Sequence, residues 1–222
     1  MKTFVIGDVH ACYNELIELE KLIDPLDEHE IWLTGDLFDR GILPHLVWDW
    51  LKKSRRFSIK GNHDVKLQWL IEERKDIDYK KFYHTCLDGL IKNGINPKEV
   101  AEYINKLPLL KEFDNHILVH AAIDLANPLK ESEAINCFGN YLEEKSARFD
   151  DWYSYYSGEK QIAYGHHATK DGNPRLIGKT IGIDTACCHG GPLTAYCLND
   201  GTIVQYKSGI DWFAETKKLY KD

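Results

Sequence analysis

Three times within the first 64 residues a short apolar run stops near a glycine and gives way to side chains able to hold a cation or move a proton. Thr3-Phe4-Val5-Ile6 precedes Gly7-Asp8-Val9-His10, Ile31-Trp32-Leu33 precedes Gly35-Asp36, and Phe57-Ser58-Ile59 precedes Gly61-Asn62-His63-Asp64. Between these runs the apolar residues fall at helical spacing, first Leu16, Ile17, Leu19, Leu22 and Ile23, then Leu43, Leu46, Val47, Trp50 and Leu51 over roughly 43–53. The pattern predicts β-α-β-α-β, a largely buried sheet with helices packed on it. In such a sheet the carboxyl ends of the strands lie side by side, so groups placed just after successive strands converge on one crevice. Glycine at the strand end lets the backbone turn there.

The rest of the chain is more mixed. Residues 65–113 are rich in charge and helical spacing, with Pro97 near a helix start and Val100, Ile104 and Leu107 following at i, i+4 and i+7. They are read as a helical cap insertion, and 125–160 as a second cap segment. Strands are expected at 116–120, 161–164, 180–183, 193–198 and 202–206, the last two joined by the turn Asn199-Asp200-Gly201. No repeat or Pro/Gly/Ser linker divides the 222 residues, so one α/β domain over 1–222 is expected.

Charge and apolar patterning exclude other classes. A formal net charge of −7 gives little general attraction for a polyanion, so extended nucleic-acid binding is not expected. The first apolar run is too short for a signal-peptide core and no later run is long enough to span a bilayer, which predicts a cytoplasmic protein with no membrane partner. The six cysteines, Cys12, Cys86, Cys137, Cys187, Cys188 and Cys197, form no small-secreted-domain framework and are read as free thiols. The vicinal Cys187 and Cys188 lack the CxxC spacing that brings two thiolates to one ion.

Asp8 and His10, one residue apart in an extended segment, share one side of the chain and can grip one ion. Taken alone that pair is weak, but Asp36, Asn62, His120 and His166 follow strand-like runs in the same way. By chemistry the set divides into Asp8, His10 and Asp36 on one cation and Asp36, Asn62, His120 and His166 on another, with Asp36 bridging. Mixed oxygen and nitrogen ligation without thiolates suits two divalent ions such as Mn, Fe, Zn or Ni, with positions left open for water and substrate. A water shared by two such cations loses a proton near neutral pH and becomes a nucleophile toward a phosphate ester. His63, beside Asn62, is the candidate general acid for the leaving group, with Asp39 orienting its ring. Arg40 offers a planar fork to phosphate oxygens, and Asn62 lies within the same group. The competing reading is local: an Asp39–Arg40 turn ion pair, and His63 capping a helix.

The runs Gly7-Asp8-Val9-His10, Gly35-Asp36-Leu37-Phe38-Asp39-Arg40-Gly41, Gly61-Asn62-His63-Asp64, Val119-His120 and Gly165-His166 resemble, in order, the signature blocks of the calcineurin-like metallophosphoesterases. The Asp39-Arg40-Gly41 ending is similar to the phosphoprotein-phosphatase branch. The resemblance covers nearly the whole chain and implies a four-layer α/β/β/α sandwich of mixed sheets, a dinuclear centre at the strand ends, and the ligand assignment above. It also implies a phosphate-gripping arginine ahead of the Gly165-His166 block, where Arg148 is the one arginine. Within the branch the chain looks most like compact bacterial and phage enzymes: protein phosphatases, diadenosine tetraphosphate hydrolases, and the phosphatase module of polynucleotide kinase-phosphatases. The run from Gly182 to Ala195, with Asp184-Thr185-Ala186-Cys187-Cys188-His189-Gly190-Gly191, is similar to a block shared by the last two. Ala11 stands where the family usually has glycine, Asp64 where it has glutamate, and His167 where it has threonine; Ala168 replaces a further ligand of the wider family, in keeping with the branch.

The function expected is hydrolysis of phosphate monoesters, with Ser/Thr phosphoproteins as the first substrate class and dinucleoside polyphosphates or nucleotide ends as the alternative. A metal-binding interaction protein without catalysis is the alternative of another class, and the complete ligand and acid set stands against it. The aromatic run Trp152-Tyr153-Ser154-Tyr155-Tyr156 either stacks bases or packs a cap against the body. His167 and His189 either line the site or pack elsewhere.

Overall fold

The computed structural model describes residues 1–74, 80–123 and 151–219. Strands β1 (Thr3–Ile6), β2 (Glu30–Leu33) and β3 (Arg56–Ser58) alternate with helices α1 (Tyr13–Ile23) and α2 (Pro44–Leu51), as the sequence pattern predicts. Three helices follow, α3 (Asn62–Ile71), α4 (Lys81–Lys92) and α5 (Pro97–Lys106), then strands β4 (Leu110–Glu112) and β5 (His116–Val119). After a short 3-10 turn at Trp152–Ser154 come β6 (Gln161–Tyr164), β7 (Arg175–Ile177), β8 (Thr180–Gly182), β9 (Leu193–Cys197), β10 (Ile203–Tyr206) and helix α6 (Trp212–Lys218).

These strands form two mixed sheets. The first runs β10-β9-β1-β2-β3, with β1, β2 and β3 parallel and β9 antiparallel to both β1 and β10. The second runs β4-β5-β6-β8-β7, with a parallel centre of β5, β6 and β8 and an antiparallel strand at each edge. Side chains alternate across a strand, so β1 sends Phe4 and Ile6 to the helices and Val5 to the opposite sheet. Val5 and Trp32 of the first sheet, with Ile59 just beyond β3, meet Leu118, Ala163 and Ile181 of the second in the seam between them.

The largest core joins the outer face of the first sheet to α1, α2, α4 and α5, and contains Leu16, Leu19, Trp48, Trp50, Phe82, Leu90, Val100 and Ile104. The helices of 65–113 thus bury their apolar faces in the main core, and α5 starts as expected: Asn96 caps it by accepting from Lys98 N at 3.1 Å, and Pro97 takes the first turn. Residues 110–112 depart from the helical reading, because a three-residue edge strand takes its stability from β5 and leaves little periodicity in its own sequence. The helix read over 43–53 is shorter, ending at Leu51.

On the far face of the second sheet Trp152 is buried, donates from Nε1 to Ala121 O at 3.0 Å and packs against Tyr164. Tyr153 stacks on Tyr164 with rings 5.8 Å apart and 8° from parallel. Of the two readings of the 152–156 run, packing is the one that holds for Trp152 and Tyr153. Most of the second cap segment, with Arg148 and Cys137, lies outside the described residues. No helix among the described residues is long and apolar enough to cross a membrane.

Candidate active site

The ends of β1, β2, β5 and β6 and the start of α3 meet in one crevice of about 290 Å³, lined by Asp8, His10, Asp36, Arg40, His63 and His166 together with Asp184, Ala186, Cys188 and His189. Asn62 and His120 are fully buried against it. The backbone is bent to make this possible. His10, Ala11, Asp36, Arg40 and His166 all have positive φ, between 44° and 67°, a region that costs residues with a Cβ roughly 1–2 kcal/mol each. Ala11 at 57° shows why its position favours glycine. Two glycines are there for space: a Cβ on Gly165 would lie 2.0 Å from Asp8 Oδ1, and one on Gly61 would lie 2.2 Å from Asp36 Oδ1.

In this crevice two groups of ligand atoms gather within 4.8 Å of one another, His10 with Asp36 and His63, and Asp36 with His120 and His166. Asp36 belongs to both, as expected of a bridging carboxylate. Asp8 stands beside them with one oxygen accepting from Thr34 Oγ1 at 2.6 Å and the other from His166 N at 3.0 Å. The grouping adds His63, read from sequence as an acid, to the side of His10.

The tautomers decide what these atoms can bind. His120 Nδ1 faces the Thr34 carbonyl at 2.9 Å, which places its proton there and leaves a lone pair on Nε2. That lone pair points at Asn62 Oδ1, 2.8 Å away, and lies 3.4 Å from Asp36 Oδ1. Acceptors crowded like this repel unless a proton or a cation lies among them. His10 repeats the pattern: Nδ1 donates to Asp39 Oδ1 at 2.7 Å, and Nε2 is left 3.6 Å from Asp36 Oδ2. The donor set therefore fits two divalent ions of the borderline class.

Electrostatics point the same way. Burial, then Asp184 and Asp36, push the Asp8 carboxyl well above its ordinary range, the mark of acids crowded without enough positive charge. Burial opposes ionisation of Asp39, yet His63 and His10 hold it well below that range. Burial, aided by His120 and His167, keeps His166 neutral far below the usual imidazole range, as a metal ligand must be.

His63 Nδ1 lies 2.5 Å from Asp39 Oδ2, so Asp39 serves two imidazoles at once and the proposed acid–orienter contact is present. Arg40 extends one guanidinium nitrogen to His10 Nε2 at 3.0 Å and the other to His63 Nε2 at 2.9 Å, placing a fork of positive charge over the crevice. An Asp39–Arg40 turn ion pair is not the arrangement found among the described residues.

Sequence reasoning missed four contributors. Asp64 accepts from the backbone N–H groups of Asp36, Leu37 and Gly61, each at 2.9 Å, and so fixes the loop that carries Asp36; its place in the first turn of a helix was the available signal. Thr34 positions both Asp8 and His120. Tyr83 brings its hydroxyl to 3.0 Å from His63 Nδ1, while Phe82 stacks on the same ring at 5.9 Å. His189 does line the crevice, edge-on to Phe213, whereas His167 sits among Tyr153, Tyr164 and His166.

Comparison with known proteins agrees with this geometry. The family model for calcineurin-like phosphoesterases matches residues 1–184. A bis(5'-nucleosyl)-tetraphosphatase PrpE (asymmetrical) of Halalkalibacterium halodurans is 33% identical over 88% of this chain and 89% of its own length. A protein of the same name from Geobacillus sp. is 28% identical over 99% of this chain and 100% of its own length. A solved structure provisionally assigned as a diadenosine tetraphosphatase superposes with a TM-score of 0.73 over 93% of both chains at 22% identity, a likeness of fold. The chain belongs to the calcineurin-like phosphoesterases and is a metal-dependent phosphoric ester hydrolase.

Proposed function

We propose that this chain hydrolyses bis(5'-nucleosyl) tetraphosphates asymmetrically, giving a nucleoside triphosphate and a nucleoside monophosphate. The observation that carries the reading is the convergence of His10, Asp36, His120 and His166 on one crevice, with the Asp36 carboxylate common to both groups of ligand atoms, in a chain whose relatives bear that name. The relatives favour this alternative over the phosphoprotein reading, which they do not specifically support.

In this reading Asp8, His10 and Asp36 hold one divalent cation, and Asp36, Asn62, His120 and His166 hold the other, with manganese the first ion to test. Bound there, two such ions draw charge from phosphate oxygens and ease the deprotonation of water. The protein's own groups do the rest. Arg40 grips phosphate oxygens with its fork, helped by Asn62 and, outside the described residues, by Arg148. His63, fixed by Asp39 and flanked by Phe82 and Tyr83, holds a proton for the departing oxygen.

The test is a substrate panel on protein loaded with Mn²⁺: diadenosine tetraphosphate, a phosphoserine peptide and a 2',3'-cyclic nucleotide, with products resolved by chromatography. ATP and AMP from the dinucleotide at the highest kcat/KM are expected. Two ADP molecules, or a preference for the peptide, would replace this reading.

A further inference from the structure

A second cavity, of about 560 Å³, adjoins the catalytic crevice and shares Ala168, Ala186 and His189 with it, so the two form one continuous groove. Lys170, on the loop after β6, and Lys207, just beyond β10, line its outer part. Both are exposed, and neither is paired with a carboxylate among the described residues. In a chain of net charge −7, these two lysines outnumber the single carboxylate of the same lining, Asp171, and leave the outer groove locally positive. The carboxylates nearby are held within their own loops and do not reach the lysines as ion pairs. Asp171 accepts from Asn173 N and Nδ2 at 3.0 and 3.2 Å, and Asp184, on the inner side, accepts from Ala186 N at 3.0 Å. The lining also holds a spare donor, since the buried Thr169 hydroxyl has no hydrogen-bond partner among the described residues.

We propose that this outer groove binds the polyphosphate arm of the substrate running beyond the phosphate under attack, with Lys170 and Lys207 as its counter-charges. The inference rests on the dinucleoside tetraphosphate reading above. A phosphate held by Arg40 at the inner end leaves the remaining phosphates to exit past His189 toward the lysines, where each contact is a charge-assisted hydrogen bond. An aryl monoester ends at the first phosphate and does not reach them. The lysines therefore determine specificity for long phosphate chains.

The experiment compares wild type with Lys170→Ala/Lys207→Ala and Lys170→Glu/Lys207→Glu. It measures kcat/KM for diadenosine tetraphosphate and for para-nitrophenyl phosphate, and the inhibition constant of inorganic tripolyphosphate against the aryl ester. Free Mn²⁺ is held in excess so that chelation is the same for every variant. The ratio of the two kcat/KM values is expected to fall about tenfold in the alanine variant, mainly through KM, and further in the glutamate variant. The tripolyphosphate constant should rise by a similar factor, and Lys98→Ala, a charge control on α5, should move neither. Ratios and inhibition constants within twofold of wild type overturn the proposal. If wild type leaves the dinucleotide intact, the proposed function fails, and tripolyphosphate still decides the groove: inhibition that depends on the two lysines upholds it, and inhibition indifferent to them rejects it.

Discussion

Replacing Asp64 by asparagine keeps the shape of a buried side chain and changes what its two outer atoms can accept. In the native loop Asp64 Oδ2 takes the N–H groups of Asp36 and Gly61, and Oδ1 takes that of Leu37, all at 2.9 Å. With the asparagine oxygen in the Oδ2 position two of the three bonds survive without their charge assistance, and the amide NH₂ is set against the Leu37 N–H. One lost bond and one buried donor facing another donor cost about 1–3 kcal/mol, and the weakening of the other two bonds adds to this. Part is returned, because burial and the nearby Asp36 already push the Asp64 carboxyl well above its ordinary range, and the neutral amide escapes that penalty. The net expectation is about 2 kcal/mol for Asp64→Asn and about 4–6 kcal/mol for Asp64→Ala, which strips all three donors and leaves a cavity as well. The same loop carries Asp36 at a φ of 54°, so Mn²⁺ affinity should fall about 10–100-fold in the asparagine variant, as for other losses behind a metal ligand. Urea unfolding with and without Mn²⁺, together with calorimetric metal titration, measures both effects. Asparagine and alanine variants that unfold alike, or an asparagine variant that binds Mn²⁺ like wild type, would refute the account of this loop.

Gly165→Ala places a methyl group 2.0 Å from Asp8 Oδ1, so metal binding and turnover should be lost even where circular dichroism shows a folded protein. His63→Asn removes the proposed proton donor, and a poor leaving group needs that proton more than a good one does; turnover of an alkyl phosphate should drop about 10²–10⁴-fold, with a smaller loss for para-nitrophenyl phosphate measured alongside. Arg56 is buried and bonded to Glu20 at 2.8 Å, Asp24 at 3.1 Å and Asp27 at 2.7 Å, none of them part of the crevice lining; Arg56→Ala strands the buried carboxylates of Glu20 and Asp24 and should cost about 3–5 kcal/mol in denaturant while leaving kcat on the aryl ester near wild type. Ala11→Gly relieves a positive φ of 57° and should raise stability by up to about 1 kcal/mol in the same assay, the gain in the fold being partly offset by the freer unfolded chain.

How much of this was readable from the residues follows from where the information sits. β1, β2 and α1 were legible because each buries a face whose period is written in its own sequence, and the hairpin of β9 and β10 because Gly201, at a φ of 76°, does there what only glycine does easily. β4 and β7 were not. They are Leu110-Lys111-Glu112 and Arg175-Leu176-Ile177, each three residues long at opposite edges of the second sheet, and their pairing is dictated by β5 and β8 rather than by their own pattern.

The site divides along the same line. Asp8, His10, Asp36, Asn62, His120 and His166, the proposed metal ligands, could be singled out in advance because such a ligand carries its chemistry in the side chain and its address in the strand end before it. Asp64 and Thr34 act on other parts of the protein, Asp64 on backbone groups 27 and 28 residues away and Thr34 on a carboxylate 26 residues before it and an imidazole 86 residues after it. Any buried threonine could look the same in sequence. What turns Thr34 into a functional residue is that its hydroxyl and its carbonyl face two different elements of the centre at once, so that the orientation of Asp8 and the tautomer of His120 are both set from one position in β2's exit loop. Thr34→Val removes only the hydroxyl that holds Asp8 and leaves the carbonyl that faces His120, so calorimetric Mn²⁺ titration should show the proposed position of Asp8 weakened more than that of His120, and equal weakening of both would refute this division of roles.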